Sequence, residues 1–337
     1  MKKYVKNVIP VPHLYMRENV LEKGNIPGVA GDKAEWAKNL NLPREAEYMF
    51  FGGCGYQFMR YVEGMMKAAA GMEKVGFGRE AGIGISKMFG KIGIDLPSIT
   101  AKVAAAGQED TYTRILVSAV RVLRKLGLDI GYMHEDEPCC GSPLYYSGFL
   151  DDYIEHAKEN VEIFKSYGIQ KLIGLIPACT ASLRDHYPKY VEGYNLEVYH
   201  FIEIVAQRLR KADLKPRLKE RLSVAYHDPC QLSRYLEIID APREVLASID
   251  GLELREPHAE QCKQWSTCCG GGGLEAGSPE LSERLGKRRI EELLNTGADV
   301  IVSHCPACVM QLKRSAQKTK ADVRVLDLVE ILDEALQ

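Results

Sequence analysis

The chain has 337 residues, 46% of them hydrophobic and 27% charged, with a net charge of −2 and a pI near 6.5. That length suits two domains with cores of ordinary size, and the near-neutral balance leaves no electrostatic footprint for a nucleic acid. No apolar run reaches the ~18 residues that a membrane span requires. The start, MKKYVKNVIPVPHLYM, lacks the continuous apolar stretch and cleavage site of a secretory leader, so the expectation is a cytoplasmic protein.

In chain order, residues 1–46 form an N-terminal extension with no later counterpart. EYMFFGGC (47–54) predicts a short apolar strand running into Cys54. Residues 64–110, rich in Gly, Ala, Met, Ile and Lys, read as an insertion. Between 63 and 102 it carries six Lys or Arg against four Asp or Glu, which fits a site cover, a docking surface or a solvated helical excursion. EPCCG (137–141) follows, then an amphipathic helix over 152–168 closed by glycine, a strand over 171–182 and the segment YNLEVYHFIEIVAQRL (194–209).

A charged, proline-bearing linker is expected at 211–221, and after it the order repeats. LSVAYHDPC (222–230) runs into Cys230, STCCG (266–270) answers EPCCG, and a helix is expected over 278–297. DVIVSHCPACVM (299–310) is the matching strand, and ADVRVLDLVEILDEAL (321–336) closes the unit. The spacing from Cys139 to Cys268 is 129 residues and from Cys179 to Cys305 is 126, whereas Cys54 to Cys230 is 176, which puts about 47 extra residues in the first unit. The expected fold class is α/β, with two tandem pseudo-repeats of βα units over 47–210 and 222–337 and sites at the strand ends.

Ten cysteines in such a chain call for an explanation, and Cys139–Cys140 and Cys268–Cys269 are adjacent pairs. Neighbouring cysteines bond to each other only with strain, because a disulfide separates its Cα atoms by about 4.4–6.8 Å. Metal or cluster ligation accounts for them better. The second repeat offers Cys230, Cys268, Cys269, Cys305 and Cys308. Four thiolates suffice for a cubane [4Fe–4S] cluster, so a fifth is either a spare or the mark of a different cluster. Cys305-x-x-Cys308 is also a common zinc half-site.

The first repeat offers Cys54, Cys139, Cys140 and Cys179, with Ser182 where Cys308 stands in the second. Cys262 falls outside the pattern and reads as a free thiol. His227 and His304, each near a ligand cysteine, are candidates to tune the site or move protons, against the plainer role of hydrogen bonding to the backbone. Gly270–Gly273 lacks the lysine of a phosphate loop and reads as backbone brought close to sulfur.

A single Cys, then Cys-Cys-Gly, then Cys-x-x-Cys, duplicated in tandem, resembles the cysteine-rich CCG domain of heterodisulfide reductase catalytic subunits. GNIPGVAGDKAEWAKNL (24–40), HDPCQLSRY (227–235), APREVL (241–246) and STCCGGGGL (266–274) carry the likeness. The resemblance implies a noncubane [4Fe–4S] cluster held by Cys230, Cys268, Cys269, Cys305 and Cys308, and redox chemistry on a disulfide or sulfur-carrier substrate. It implies electron-transfer partners, a ferredoxin-like iron–sulfur subunit or a flavoprotein, because no Cys-x2-Cys-x2-Cys run is present. Ser182 departs from the family pattern, leaving a second cluster, zinc or nothing for Cys54, Cys139, Cys140 and Cys179. Two other roles fit the resemblance: an electron-relay subunit of a glycolate, lactate or glycerol-3-phosphate dehydrogenase, and a zinc-bearing structural subunit.

Overall fold

The structure is a computed structural model that describes residues 8–31, 33–74, 98–99, 102–103, 110–212 and 214–337. Beyond residue 74 the expected insertion lies almost entirely outside the described residues.

Each repeat builds one four-stranded parallel sheet. The first contains β1 (Tyr48–Phe51), β2 (Ile130–Tyr132), β3 (Lys171–Gly174) and β4 (Glu197–His200), in the order β2-β1-β3-β4. The second contains β5 (Arg217–His227), β6 (Asp250–Leu254), β7 (Val300–Ser303) and β8 (Arg324–Asp327), in the order β6-β5-β7-β8. The two orders are the same once the duplication is taken into account. The fold is therefore α/β with a duplicated βα unit. Strands such as YMFF and VIVS are buried along their whole length because helices cover both faces of a parallel sheet.

The crossovers and flanks supply the helices: α1 (Val11–Lys23), α2 (Gly53–Lys74), α3 (Thr111–Lys125), α4 (Leu150–Ser166), α5 (Phe201–Lys211), α6 (Asp240–Ala247), α7 (Pro279–Leu294), α8 (Pro306–Thr319) and α9 (Leu328–Ala335). The closing units of the two repeats share their capping chemistry. His200 caps α5 with Glu203 reaching back, and Asp327 caps α9 with Glu330 reaching back.

Two local expectations are corrected. The segment 211–221 is not all linker, because β5 begins at Arg217. Its first turn of charge is tolerated at the sheet rim, where Arg217 pairs with Asp250 and the register shifts before Leu222. The strands expected over 171–182 and 299–310 stop at Gly174 and Ser303. Pro177 and Pro306 then open helices, as proline does at a first helical position, so Cys179 and Cys308 are helical residues.

The repeats do not form separate bodies. One apolar core includes Phe50, Ile115 and Leu116 of the first and Tyr226, Leu328 and Leu332 of the second. A smaller one around Ile290, Leu293, Ile301 and Leu312 encloses Cys269 and Cys308. At the junction Tyr56 donates to Asp327 at 2.5 Å, and Asp327 also pairs with His304 Nδ1 at 3.1 Å. Ser118 and Arg121 of α3 both reach Asp333 of α9 at 2.6 Å. The N-terminal helix α1 straps the two halves, with Arg17 on Asp152 and His13 on the Gly273 carbonyl. No helix among the described residues is long and apolar enough to cross a membrane.

Asp327 thus carries three duties: helix cap, acceptor for Tyr56 and partner of His304. Asp327→Ala is expected to cost about 3 kcal/mol or more, combining a lost cap with buried groups left unpaired. Urea titration under reducing conditions checks this. Asp327→Asn, which keeps an acceptor at the cap, is expected to cost less.

Candidate metal centre

Both cysteine sets gather at the C-terminal edges of their sheets. In the first repeat Cys54 sits in the opening turn of α2, directly after β1, and Cys179 lies in the short helix Pro177–Ala181 after β3. Cys139–Cys140 follow β2 by a short loop. Cys54 and Cys139 sulfurs are 3.7 Å apart, and those of Cys140 and Cys179 are 3.1 Å apart. All four are buried.

In the second repeat Cys230 follows β5, while Cys305 and Cys308 bracket the start of α8. The Cys268–Cys269 pair stands well beyond the end of β6, on a loop that returns over the site. Cys269 and Cys308 sulfurs are 3.3 Å apart. Cys269 and Cys308 are buried, but Cys230, Cys268 and Cys305 are only partly so. The first set is closed, and the second is open to solvent on one side.

Crowded thiols do not all ionise with equal ease, and in each set one is shifted down while its neighbours are shifted up. Cys139 is held well below the usual thiol range by bonds from Cys140 and Cys54, with His156 adding to them. Cys269 is likewise held low by Cys268 and Cys308, with His227 adding to them. Their neighbours move the other way. Cys54 and Cys140 are pushed up chiefly by Cys139, and Cys268 and Cys308 chiefly by Cys269. Burial raises Cys230 to about 11. At Cys179 the bond to Cys140 works downward, but burial and the charges of Cys139, Glu137 and Cys305 outweigh it. Cys305 thus acts on a thiol of the other repeat. The two sites are neighbours across the α2–α8 contact.

The lowered cysteines do not occupy equivalent positions, since Cys139 is the first of its pair and Cys269 the second. The histidines that add to the two shifts also come from unrelated places. His156 comes from α4 and bonds the Cys139 carbonyl at 2.7 Å. His227 comes from the end of β5, and one of its ring nitrogens lies within 4.8 Å of the Cys269 and Cys308 sulfurs. Nε2 of His227 is buried without a hydrogen-bond partner among the described residues, while Nδ1 accepts from Arg289 at 2.9 Å.

The Cys-Cys-Gly loop is shaped by its glycines. The Gly270 amide donates to the Cys268 sulfur at 3.4 Å, and that of Gly271 to Cys269 at 3.3 Å. Gly270 has φ +85°, and a Cβ there would come within 2.4 Å of the Ser282 carbonyl oxygen.

Ser182, at the position matching Cys308, is fully buried and already engaged. Its hydroxyl donates to the Cys140 carbonyl at 2.8 Å and lies 2.9 Å from the Tyr153 hydroxyl. His304 is committed to Asp327, and its ring packs against His200 and Phe201 at the junction. Cys262 is buried, its sulfur 3.8 Å from the Ala259 carbonyl and apart from both sets.

Several participants went unnoticed in the sequence. Glu137 is buried beside the first set, accepts from the Gly52 and Gly53 amides and Gln57, and is pushed up to about 7 by burial. Exposed Tyr146 and Tyr235 pack edge to face beside the second set, where Tyr146 donates to Gln231, the neighbour of Cys230. Tyrosines gave no signal. Arg289 did: it interrupts the apolar stripe Gly286, Ile290, Leu293 of α7.

The cysteine-rich CCG domain matches residues 104–184 and 224–313, together half of the chain. The chain belongs to the CCG family. Among its relatives is a dihydromethanophenazine:CoB–CoM heterodisulfide reductase subunit from Methanosarcina barkeri, 34% identical over 64% of this chain and 54% of that one. A fumarate reductase (CoM/CoB) subunit from Methanothermobacter marburgensis is 34% identical over 65% of this chain and 42% of its own length. The EtfAB:quinone oxidoreductase of Syntrophomonas wolfei is 31% identical over 69% of this chain and 33% of its own. This CCG chain therefore spans about half, or less, of the length of the curated relatives it matches.

The burial difference between the two sets predicts biphasic thiol labelling. In anaerobic, chelator-treated protein, Cys230, Cys268 and Cys305 are expected to react first and the four first-repeat thiols last. Gly270→Ala, which drives a Cβ into the Ser282 carbonyl, is expected to bring Cys269 and Cys308 into the fast phase. Mass-spectrometric mapping of the labelled cysteines reads both outcomes.

Proposed function

We propose that this CCG chain is an iron–sulfur subunit of a heterodisulfide-reductase-like complex. In this reading Cys230, Cys268, Cys269, Cys305 and Cys308 hold a noncubane [4Fe–4S] cluster that exchanges electrons with a sulfur substrate. The observation that carries the reading is the second repeat itself. Five soft thiol donors converge there, one of them shifted well below the usual thiol range, two glycine amides donate to sulfur, and a buried histidine nitrogen has no partner among the described residues. Such a donor set fits an iron–sulfur group, and polar backbone near its sulfurs is the usual means of tuning one. The names of the relatives, several of them oxidoreductase subunits, support a redox role in a multisubunit assembly.

The overall reaction consumes two electrons and two protons for each disulfide split into two thiols. A ferredoxin-like iron–sulfur subunit or a flavoprotein supplies the electrons in this scheme. The cluster, when bound, supplies the one-electron steps and sites of affinity for sulfur. This chain's own residues do the rest. The half-buried Cys230, Cys268 and Cys305 leave one side of the site open, and the rings of Tyr146 and Tyr235 beside it give an incoming sulfur compound an apolar seat.

The first repeat takes the subordinate role. Its four thiols suit zinc or an ordinary cluster. The fifth position is closed, because Ser182 spends its hydroxyl on Cys140 and Tyr153. A relay role with no substrate of its own is the alternative for the whole chain. Zinc at the second site is the other, favoured by the closeness of His227, Cys269 and Cys308.

Anaerobic purification is expected to yield about four irons and four sulfides for the second repeat. Removing Cys268 and Cys269 together is expected to abolish the noncubane EPR signal, and removing Cys139 and Cys140 to leave it. Cys308→Ser is expected to convert or lose it. Stoichiometric zinc without iron after reconstitution rules out the iron–sulfur reading, and equal loss from both double variants rules out the asymmetry. Disulfide reduction with an artificial donor separates the substrate-binding role from the relay.

A further inference from the structure

Arg289 is fully buried on the apolar stripe of α7, a costly place for a charge unless its bonds are met. Its Nη1 donates to Glu292 at 3.0 Å and to the Gln261 carbonyl at 2.6 Å. Glu292 is held in turn by Thr267 at 2.9 Å, the residue just before Cys268. Nε of Arg289 is spent on His227 Nδ1 at 2.9 Å.

That last bond dictates the state of the imidazole. A guanidinium only donates, so Nδ1 must present its lone pair. The proton of neutral His227 is therefore on Nε2, which is buried and has no hydrogen-bond partner among the described residues, in a ring that brings one nitrogen within 4.8 Å of the Cys269 and Cys308 sulfurs.

We propose that Arg289 is a positioning residue that acts through His227: it fixes the Nε2–H tautomer aimed at Cys269 and so raises the reduction potential of the group the second-repeat cysteines hold. The inference rests on the iron–sulfur reading above. A donor beside a ligand sulfur stabilises the more negative, reduced state, and a buried cation behind it adds to the effect.

The duplication supplies an internal comparison. The position matching His227 is Phe51, and the one matching Arg289 is Asn160, which bonds the Cys139 carbonyl and Tyr187 instead. The first repeat has the same scaffold without the relay. The two sites are thus set to different potentials by residues other than their ligands.

The test uses the anaerobically purified full chain, with iron content and EPR-monitored redox titration as readouts. His227→Phe and Arg289→Met are each expected to keep the iron and lower the midpoint potential by about tenfold in the one-electron equilibrium, roughly 59 mV. Arg289→Lys, which still donates, is expected to recover part of the drop. In the His227→Phe background Arg289→Met is expected to add less than it does alone. Unchanged potential in iron-loaded His227→Phe overturns the inference even if Arg289→Met fails to fold. Strictly additive drops overturn the claim that Arg289 acts through His227. Both results leave the iron–sulfur reading standing, whereas wild-type protein without iron removes that reading itself.

Discussion

A thiolate buried among other thiols is the constraint on which this architecture turns. Sulfurs 3.1–3.7 Å apart repel once more than one is charged, and a protein interior screens that repulsion poorly. In each set one thiol is held low by the groups around it. In the second repeat these are neighbouring thiols, with His227 adding to them, and the Gly271 amide donates to the same sulfur. The loop that brings them together needs a positive φ at Gly270 and no side chain against Ser282.

Duplication has kept the scaffold and changed the chemistry. Strand order, crossover helices and even the capping boxes of α5 and α9 repeat. The polar supports do not. His156 serves the first member of one pair and His227 the second member of the other. Serine replaces cysteine at 182 and is absorbed into a hydrogen-bond network that closes the first site. The second remains open, with two tyrosine rings beside it. A strand-and-helix frame tolerates this divergence because its stability comes from the apolar core, which spans both repeats and involves none of these polar choices.

The repeats also depend on each other. Asp327 serves its own helix and accepts from Tyr56 of the other half, while α1 bonds to both. The two cysteine sets also adjoin one another across the α2–α8 contact.

Much of this was legible in the sequence, because periodicity and punctuation are local properties. Apolar runs ahead of Cys54 and Cys230 marked the central strands, and the offsets between cysteine pairs exposed the duplication and the α/β class. The strand expected through Pro306 failed for an equally local reason, since proline opens a helix as readily as it ends a strand. Residue types alone also singled out the two cysteine sets and the Ser182 departure. Only the tertiary structure decided which thiol its neighbours hold low, which set faces solvent and which histidine meets sulfur. Those outcomes depend on distance and burial among segments far apart in the chain. His227 is 62 residues from Arg289, and Tyr56 is 271 from Asp327, so no local pattern encodes either contact.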